Sequence, residues 1–400
     1  MTFPTEPSLY FHHLPTGNRL DVIWPLLEQG DWKHFKPEAH ERNTLQGLLN
    51  RSACLPVIPD ILPIYPGMVW SNTADKLLDP RFKPEIRVVS YPDIVAAAAA
   101  LFSKFSDRHI GVQLSGGLDS SIIIALLRHL DIRFSLVGMT TARYEFRTER
   151  HIQDRLAQWG ANSVLIDYEE HLPLSQLDVV PMHQHPDLFS LNYASNKAMA
   201  RACEELGIEV LFTGNGGDNV FADALSTDPA ACSWMPQVFV DSWLDDLVYA
   251  PSGVQVVPFY ADRGILNIIY NLRAGQGIDS RKQWARNFFS DLLPQELVEF
   301  TYCADFWGLY IDGLSAALPT VRHLFKRAYD MTLQPCFSSA AMDKLLGQDL
   351  LRAEKTTYQR IEARVSLAVW LNTLAKSAHT DAGQARTKVA TSPSVASSAR

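Results

Sequence analysis

The stretch Val112 to Leu127, Val-Gln-Leu-Ser-Gly-Gly-Leu-Asp-Ser-Ser-Ile-Ile-Ile-Ala-Leu-Leu, constrains what this chain can fold into more than any other. An apolar strand over Ile110 to Leu114 runs into a turn of two glycines, and the hydroxyls of Ser120 and Ser121 open a helix. Backbone N–H groups at a helix start lack intrahelical partners and carry the positive end of the dipole, so phosphate is the natural occupant of such a turn. Asp119 would repel that phosphate unless a cation lay between them, which reads it as a magnesium ligand beside pyrophosphate. An ordinary strand–turn–helix corner with a capping Asp or Ser gives the same local pattern. The turn lacks the Gly-Lys-Ser/Thr ending of a Walker loop.

From residue 109 strands alternate with helices. The pattern predicts strands at Ile110–Leu114, Phe134–Met139, Val164–Asp167 and Glu209–Thr213, with helices at Ser120–Leu130, Glu145–Trp159 and Asn192–Leu206 between them. That order demands parallel strands joined by right-handed crossovers. The fourth strand delivers a second glycine turn, Thr213-Gly214-Asn215-Gly216-Gly217-Asp218-Asn219-Val220-Phe221. Turns at the carboxyl ends of parallel strands line one crevice, so Asp218 is expected to meet Asp119 over a shared cation. Taken alone, Asp218 is a residue that glycine turns favour anyway. A polar, His-rich connection is expected over His171 to Asp187.

The flanks differ from this middle. Residues 1–95 hold short apolar runs broken by Pro56, Pro59, Pro63 and Pro66, which favours short strands and turns. Pro92 to Lys104 reads as a helix leading into the first strand. Beyond residue 222 the pattern is mostly helical, with aromatic-rich segments near Trp234–Tyr249, Gly264–Asn271 and Arg281–Phe289, and a long helix from Ser338 to about Ala375 whose Val365, Leu367, Ala368, Trp370 and Leu371 suit core. Residues 380–400 have no periodicity and read as a disordered tail. The expected organisation is therefore a short β-rich module over 1–95, a synthetase-type domain over 96–379 and that tail.

At 400 residues and 47% hydrophobic content the chain can bury a large core without staples. A net charge of −8 leaves no electrostatic footprint for nucleic acid. Five scattered cysteines without a CxxC pair suit reduced thiols in a cytoplasmic protein, and no apolar run approaches the ~20 residues that span a bilayer.

Both glycine turns, their order and their spacing resemble the asparagine synthetase and β-lactam synthetase superfamily, whose pyrophosphate loop the first turn matches. The wording Thr-Gly-Asn-Gly-Gly-Asp-Asn-Val-Phe is most similar to the lasso peptide cyclases of that superfamily. Further matches are Pro66-Gly67, Val257-Pro258-Phe259 with Asp262, Lys282 with Arg286 before Leu293-Pro294, and Val369-Trp370-Leu371. The resemblance implies an α/β fold: a parallel-sheet ATP-pyrophosphatase-type domain with a β-rich N-terminal module, a remnant of a glutaminase-like domain, and a helical C-terminal part. It implies that Ser115, Gly116, Gly117, Asp119 and Ser120 bind the pyrophosphate of ATP, and that Asp119 and Asp218 hold Mg2+. Backbone at Gln113, Val137, Thr213 and Gly214 would line adenine and ribose. The implied chemistry activates a carboxylate as an acyl-adenylate, and an amine then attacks to give an amide and AMP.

This sequence departs from those relatives at three places. Thr2 follows Met1 where glutamine-hydrolysing relatives start with cysteine, so the reading favours an amine already present in the substrate. Asn215 stands where relatives often place Glu or Tyr in the base, and an amide cannot accept that proton. His183, His185 and Glu149 are the alternatives. Finally, Glu299 to Asp305 lacks the relatives' catalytic lysine. Lys282 and Arg286 then remain to supply positive charge beside Asn215, although a solvated helix face would carry the same two residues. The expected function is an ATP-dependent, AMP-forming amide ligase that closes a macrolactam in a precursor peptide between an Asp or Glu side chain and the N-terminal amine. Its expected partners are that peptide and a leader-peptide protease or leader-binding protein. A small-molecule amide or β-lactam-type synthetase, and a degenerate nucleotide- or peptide-binding scaffold, are the alternatives.

Overall fold

The computed structural model describes residues 10–13, 18–20, 37, 61–64, 69–71, 76–78, 88–183, 186–221, 247–273, 281–299, 306–346 and 355–381. The expected motif at Pro66-Gly67, His185, the Glu299–Asp305 stretch beyond residue 299 and the tail beyond 381 lie outside these residues. Towards the N-terminus, β1 (Tyr10–His13) pairs antiparallel with β2 (Asn18–Leu20) and β3 (Ile61–Ile64), and β4 (Val69–Ser71) pairs with β5 (Lys76–Leu78).

The centre is a five-stranded parallel sheet of β6 (Ile110–Gln113), β7 (Ser135–Thr140), β8 (Ser163–Asp167), β9 (Val210–Thr213) and β10 (Gln255–Pro258), in the order β10-β9-β6-β7-β8. The chain moves outward from β6 to β8 and then returns to the other side of β6. The direction of winding therefore reverses between β6 and β9, and open sheets bind ligands at such a point. The sequence pattern misses β10 because it is four residues long and ends in Pro258, which an edge strand tolerates.

Helix α1 (Tyr91–Ser103) opens on a capping box, with Asp93 accepting from the Ser90 N–H at 2.8 Å. It packs on α6 (Arg263–Leu272), and both share one core with α2 (Leu118–His129). Ile122, Ile123, Ile124, Leu126 and Leu127 of α2 are all at most 1% exposed. Apolar residues on every face of a helix require burial all round, and here tertiary packing overrides the weak helix preference of the isoleucine run. Helix α3 (Arg147–Ala157) follows β7. Helix α4 (Tyr193–Glu205) packs Met199, Ala200 and Cys203 against Val137, Leu211 and Val256 of the sheet. After the second turn come the one-turn α5 (Gly217–Phe221), then α6, α7 (Gln283–Phe288) and α8 (Gln295–Glu299).

The C-terminal part is helical: α9 (Trp307–Thr332), α10 (Ser339–Leu346) and α11 (Lys355–Asp381). The sequence pattern does not single out α9, because Pro319 inside it reads as a break. The stretch expected as one helix from Ser338 is described as α10 and α11, with 347–354 outside the described residues. Val365, Leu367, Ala368, Trp370 and Leu371 are buried as core. The connection expected to be polar is corrected: Leu174, Leu177 and Val180 enter this second core, and His183 is buried with its carbonyl accepting from Trp370 Nε1 at 3.0 Å.

Asp187 belongs to the same connection. Its Oδ1 caps a 3₁₀ turn by accepting from the Phe189 N–H at 2.9 Å, whereas Oδ2 is buried with no partner among the described residues. Burial pushes its carboxyl up to about 7 against the opposing pull of that N–H. The folded state then retains a proton that the unfolded chain releases near pH 4, so this group's contribution to stability falls as pH rises from about 4 to about 7. Asp187→Asn keeps the cap and removes the titration. We expect it to raise stability at pH 8 by up to ~4 kcal/mol and to flatten part of the pH 4–7 slope, measured by urea midpoints across pH. A midpoint at pH 8 unchanged from the wild type would refute this.

Candidate active site

The two glycine turns meet at the switch point. Gly116 has φ +80, and a Cβ there would lie 2.4 Å from the Glu149 carbonyl oxygen, so only glycine lets the first turn of α3 close over the loop. The helix does not open at Ser120 as expected. Gly117 is the N-cap, Leu118 begins α2, and Ser120 and Ser121 lie inside the first turn with their hydroxyls donating to the Gly117 carbonyl. The Gly117 backbone is extended (φ −84, ψ 169), and Ser115 Oγ accepts from its N–H at 3.2 Å. Ser115 Oγ and Ser120 Oγ are 2.8 Å apart. Ser115, Gly116 and Gly117 of the loop and Asp119 and Ser120 of the first helical turn thus form one continuous segment.

The second turn lies directly on the first. A Cβ at Gly214 would meet the Ser120 backbone nitrogen at 3.0 Å, and one at Gly217 would meet Asp119 Cγ at 2.2 Å. Lys282 joins them: its Nζ is 2.7 Å from both Asp119 carboxyl oxygens and 2.6 Å from Asp218 Oδ1. Its side chain is only 11% exposed, and its backbone is left-handed (φ 53) at the N-cap of α7, a strained conformation that persists where the surroundings impose it. Burial pushes the Asp119 carboxyl up to about 6; Lys282 opposes that shift and Asp218 reinforces it. Burial pulls the Lys282 ammonium down, but the two carboxylates outweigh it and hold it charged above its ordinary range. Tyr260 adds a hydroxyl that donates to the Asp119 carbonyl at 2.8 Å.

The reading of Lys282 and Arg286 as a solvated helix face is overturned, since both are buried. Arg286 donates through Nε to the Arg281 carbonyl at 3.1 Å and through Nη1 to the Leu297 carbonyl, and its charge lowers the Asp119 carboxyl. It therefore fixes the backbone that presents Lys282. Val137 is buried, and its carbonyl accepts from the Leu114 N–H at 2.8 Å within the sheet. Gln113 donates its side-chain amide to Met199 Sδ at 3.8 Å. Asn215 is half-buried between β9 and α5. Of the alternative bases, Glu149 lies in the first turn of α3 over the loop, whereas His183 is buried beside Trp370 and burial pulls its imidazole down to about 4.

Two observations fit an ATP and magnesium site. The hydroxyls of Thr140 and Thr213, at the carboxyl ends of β7 and β9, are buried without a hydrogen-bond partner among the described residues, and such orphans ask for a polar ligand. Asp119 and Asp218 are hard oxygen donors converging on one point, and a single ammonium leaves the pair one negative charge in excess. Among the described residues no group of three or more His, Cys, Asp or Glu is placed to hold a metal, so the protein would supply two carboxylates and phosphate or water the remaining ligands. Among the described residues Cys203 is a buried free thiol, and no described helix is long and apolar enough to cross a membrane.

Sequence reasoning passed over Tyr260, Arg273 and Trp284, none of which stands in either glycine turn. No curated protein matches this chain significantly. Among solved structures, the NMN synthetase from Francisella tularensis shares 12% identity with a TM-score of 0.31, over 74% of this chain and 98% of that one. Residues 96–244, which hold β6 to β9 and both glycine turns, match the family model described as asparagine synthase, and this part of the chain is accordingly similar to the asparagine synthetase-like superfamily.

Proposed function

We propose that this protein is an ATP-dependent amide-forming ligase that adenylates a carboxylate and passes it to an amine, releasing AMP and pyrophosphate. The observation that carries this reading is the convergence of Asp119, Asp218 and Lys282 on the Ser-Gly-Gly-Leu-Asp-Ser loop. The turn N–H groups and the Ser115 and Ser120 hydroxyls orient the pyrophosphate, and Thr213 with the backbone at Gln113, Val137 and Gly214 lines the nucleoside. Asp119 and Asp218 would hold Mg2+, which when bound neutralises charge on the leaving pyrophosphate. Lys282, buried and charged, supplies the cation that residues 299–305 lack in sequence and stabilises the oxyanion that forms as the amine attacks. Glu149, in the first turn of α3 whose backbone closes over Gly116, is a carboxylate that can accept the amine's proton where Asn215 cannot.

For the substrate, the wording of the second turn supports a peptide in which an Asp or Glu side chain is joined to the N-terminal amine as a macrolactam. Purified protein incubated with ATP, Mg2+ and a candidate precursor peptide should yield AMP together with a product lighter by one water. Cleavage to ADP would refute the adenylating reading. AMP formed with a free small acid and amine, but not with peptide, would reassign the substrate to the small-molecule class.

A further inference from the structure

Helix α5, which carries Asp218, is a single turn of five residues. A helix so short has no stability of its own, and its last carbonyls find no partner within it. Two donors, one buried and one half-buried, meet those carbonyls. Arg273, 1% exposed at the end of α6, donates from Nη1 to the Val220 carbonyl at 2.9 Å. Trp284 donates from Nε1 to the Phe221 carbonyl at 3.0 Å. The Arg273 guanidinium lies 5.8 Å from the centroid of the Trp284 ring, so each donor braces the other.

The bracing extends around the site. Trp284 packs on Phe221 with ring centroids 5.5 Å apart, Phe221 meets Tyr260 edge-on at 5.0 Å, and the Tyr260 hydroxyl returns to the Asp119 carbonyl. Trp284 is also two residues after Lys282, so the indole N–H that grips α5 sets the register in which α7 delivers the Lys282 ammonium. At its other end α5 is pressed against Asp119 by Gly217.

We infer that Arg273 and Trp284 are positioning residues that hold the carbonyl end of α5, so that Asp218 faces Asp119 and Lys282 in a geometry able to take a divalent cation. This rests on the reading that the two aspartates hold metal with ATP. The test uses the full chain and Mn2+ as the probe, with free Mn2+ counted by electron paramagnetic resonance in the presence of ATP, alongside ATP binding in EDTA and thermal melting. Trp284→Phe keeps the ring and loses the donor; Arg273→Met loses the donor, and Arg273→Lys keeps the charge without the fork.

Trp284→Phe and Arg273→Met should each weaken Mn2+ retention about 10- to 100-fold, while ATP binding in EDTA stays within about twofold. Arg273→Lys should recover part of the loss. It is the milder variant and carries the test if Arg273→Met does not fold. Mn2+ retention equal to wild type in folded variants would overturn the inference, as would a loss of metal-free ATP binding in proportion to the drop in melting temperature. Wild-type protein that retains no Mn2+ with ATP would instead sink the underlying reading of the site.

Discussion

Replacing Lys282 with methionine is expected to lower the rate of AMP formation by ~10²- to 10³-fold, the usual cost of removing one preorganised charge donor from a developing oxyanion. The same change leaves Asp119 and Asp218 facing each other without the ammonium that lies 2.6 to 2.7 Å from both. Breaking a buried ion pair by removing one partner typically costs ~3–5 kcal/mol, which Asp119 can partly relieve by taking up a proton. That proton provides a second readout. Lys282 lowers the Asp119 carboxyl from where burial alone would put it, so its loss must move the titration above about 6. In EDTA, without metal, the Asp119 carboxyl should therefore titrate at higher pH in the variant than in the wild type, followed by NMR. A folded Lys282→Met protein with wild-type AMP formation and an unmoved Asp119 titration would exclude Lys282 from the chemistry.

The nucleotide half of this site was legible in the sequence because its signals are local. Two glycine turns, each directly after a strand, specify both the anion seat and the positions of Asp119 and Asp218, and parallel-sheet topology places the turns in one crevice. The observed adjacency of β6 and β9 is the physical form of that inference. What was not legible depends on contacts distant in sequence. Lys282 is 163 residues from Asp119, and its neighbours Arg281 and Arg286 make the segment look like a solvated basic face until burial is known. Tyr260, Arg273 and Trp284 carry no local motif, and only the donors they aim at carbonyls of the two turns set them apart. The same holds for the helix start. A serine pair after a glycine pair suggests serine capping, but the carbonyl of Gly117 receives both hydroxyls, and the cap moves back by three residues from Ser120. In the His171–Asp187 connection the histidines drew attention to polarity, whereas Leu174, Leu177 and Val180 decide where the segment packs.

Gly217→Ala should separate activity from stability most cleanly. Gly217 is the first residue of a helix, where alanine is intrinsically no worse a residue. Its Cβ, however, would lie 2.2 Å from Asp119 Cγ and 2.4 Å from Oδ2, closer than side-chain atoms approach. The Asp119 carboxyl cannot swing aside without leaving Lys282, and α5 cannot retreat without carrying Asp218 away. Either response displaces one carboxylate by roughly an ångström, and misplacement of that size can cost about 10²-fold in rate. AMP formation should therefore fall at least about 10²-fold while the melting temperature changes by only a few degrees. Gly253 provides the contrast: its φ is +73 with open space around it, so Gly253→Ala should cost about 1 kcal/mol of stability through backbone strain and leave turnover untouched. Gly217→Ala protein that forms AMP at the wild-type rate would mean that the two turns do not act as one site.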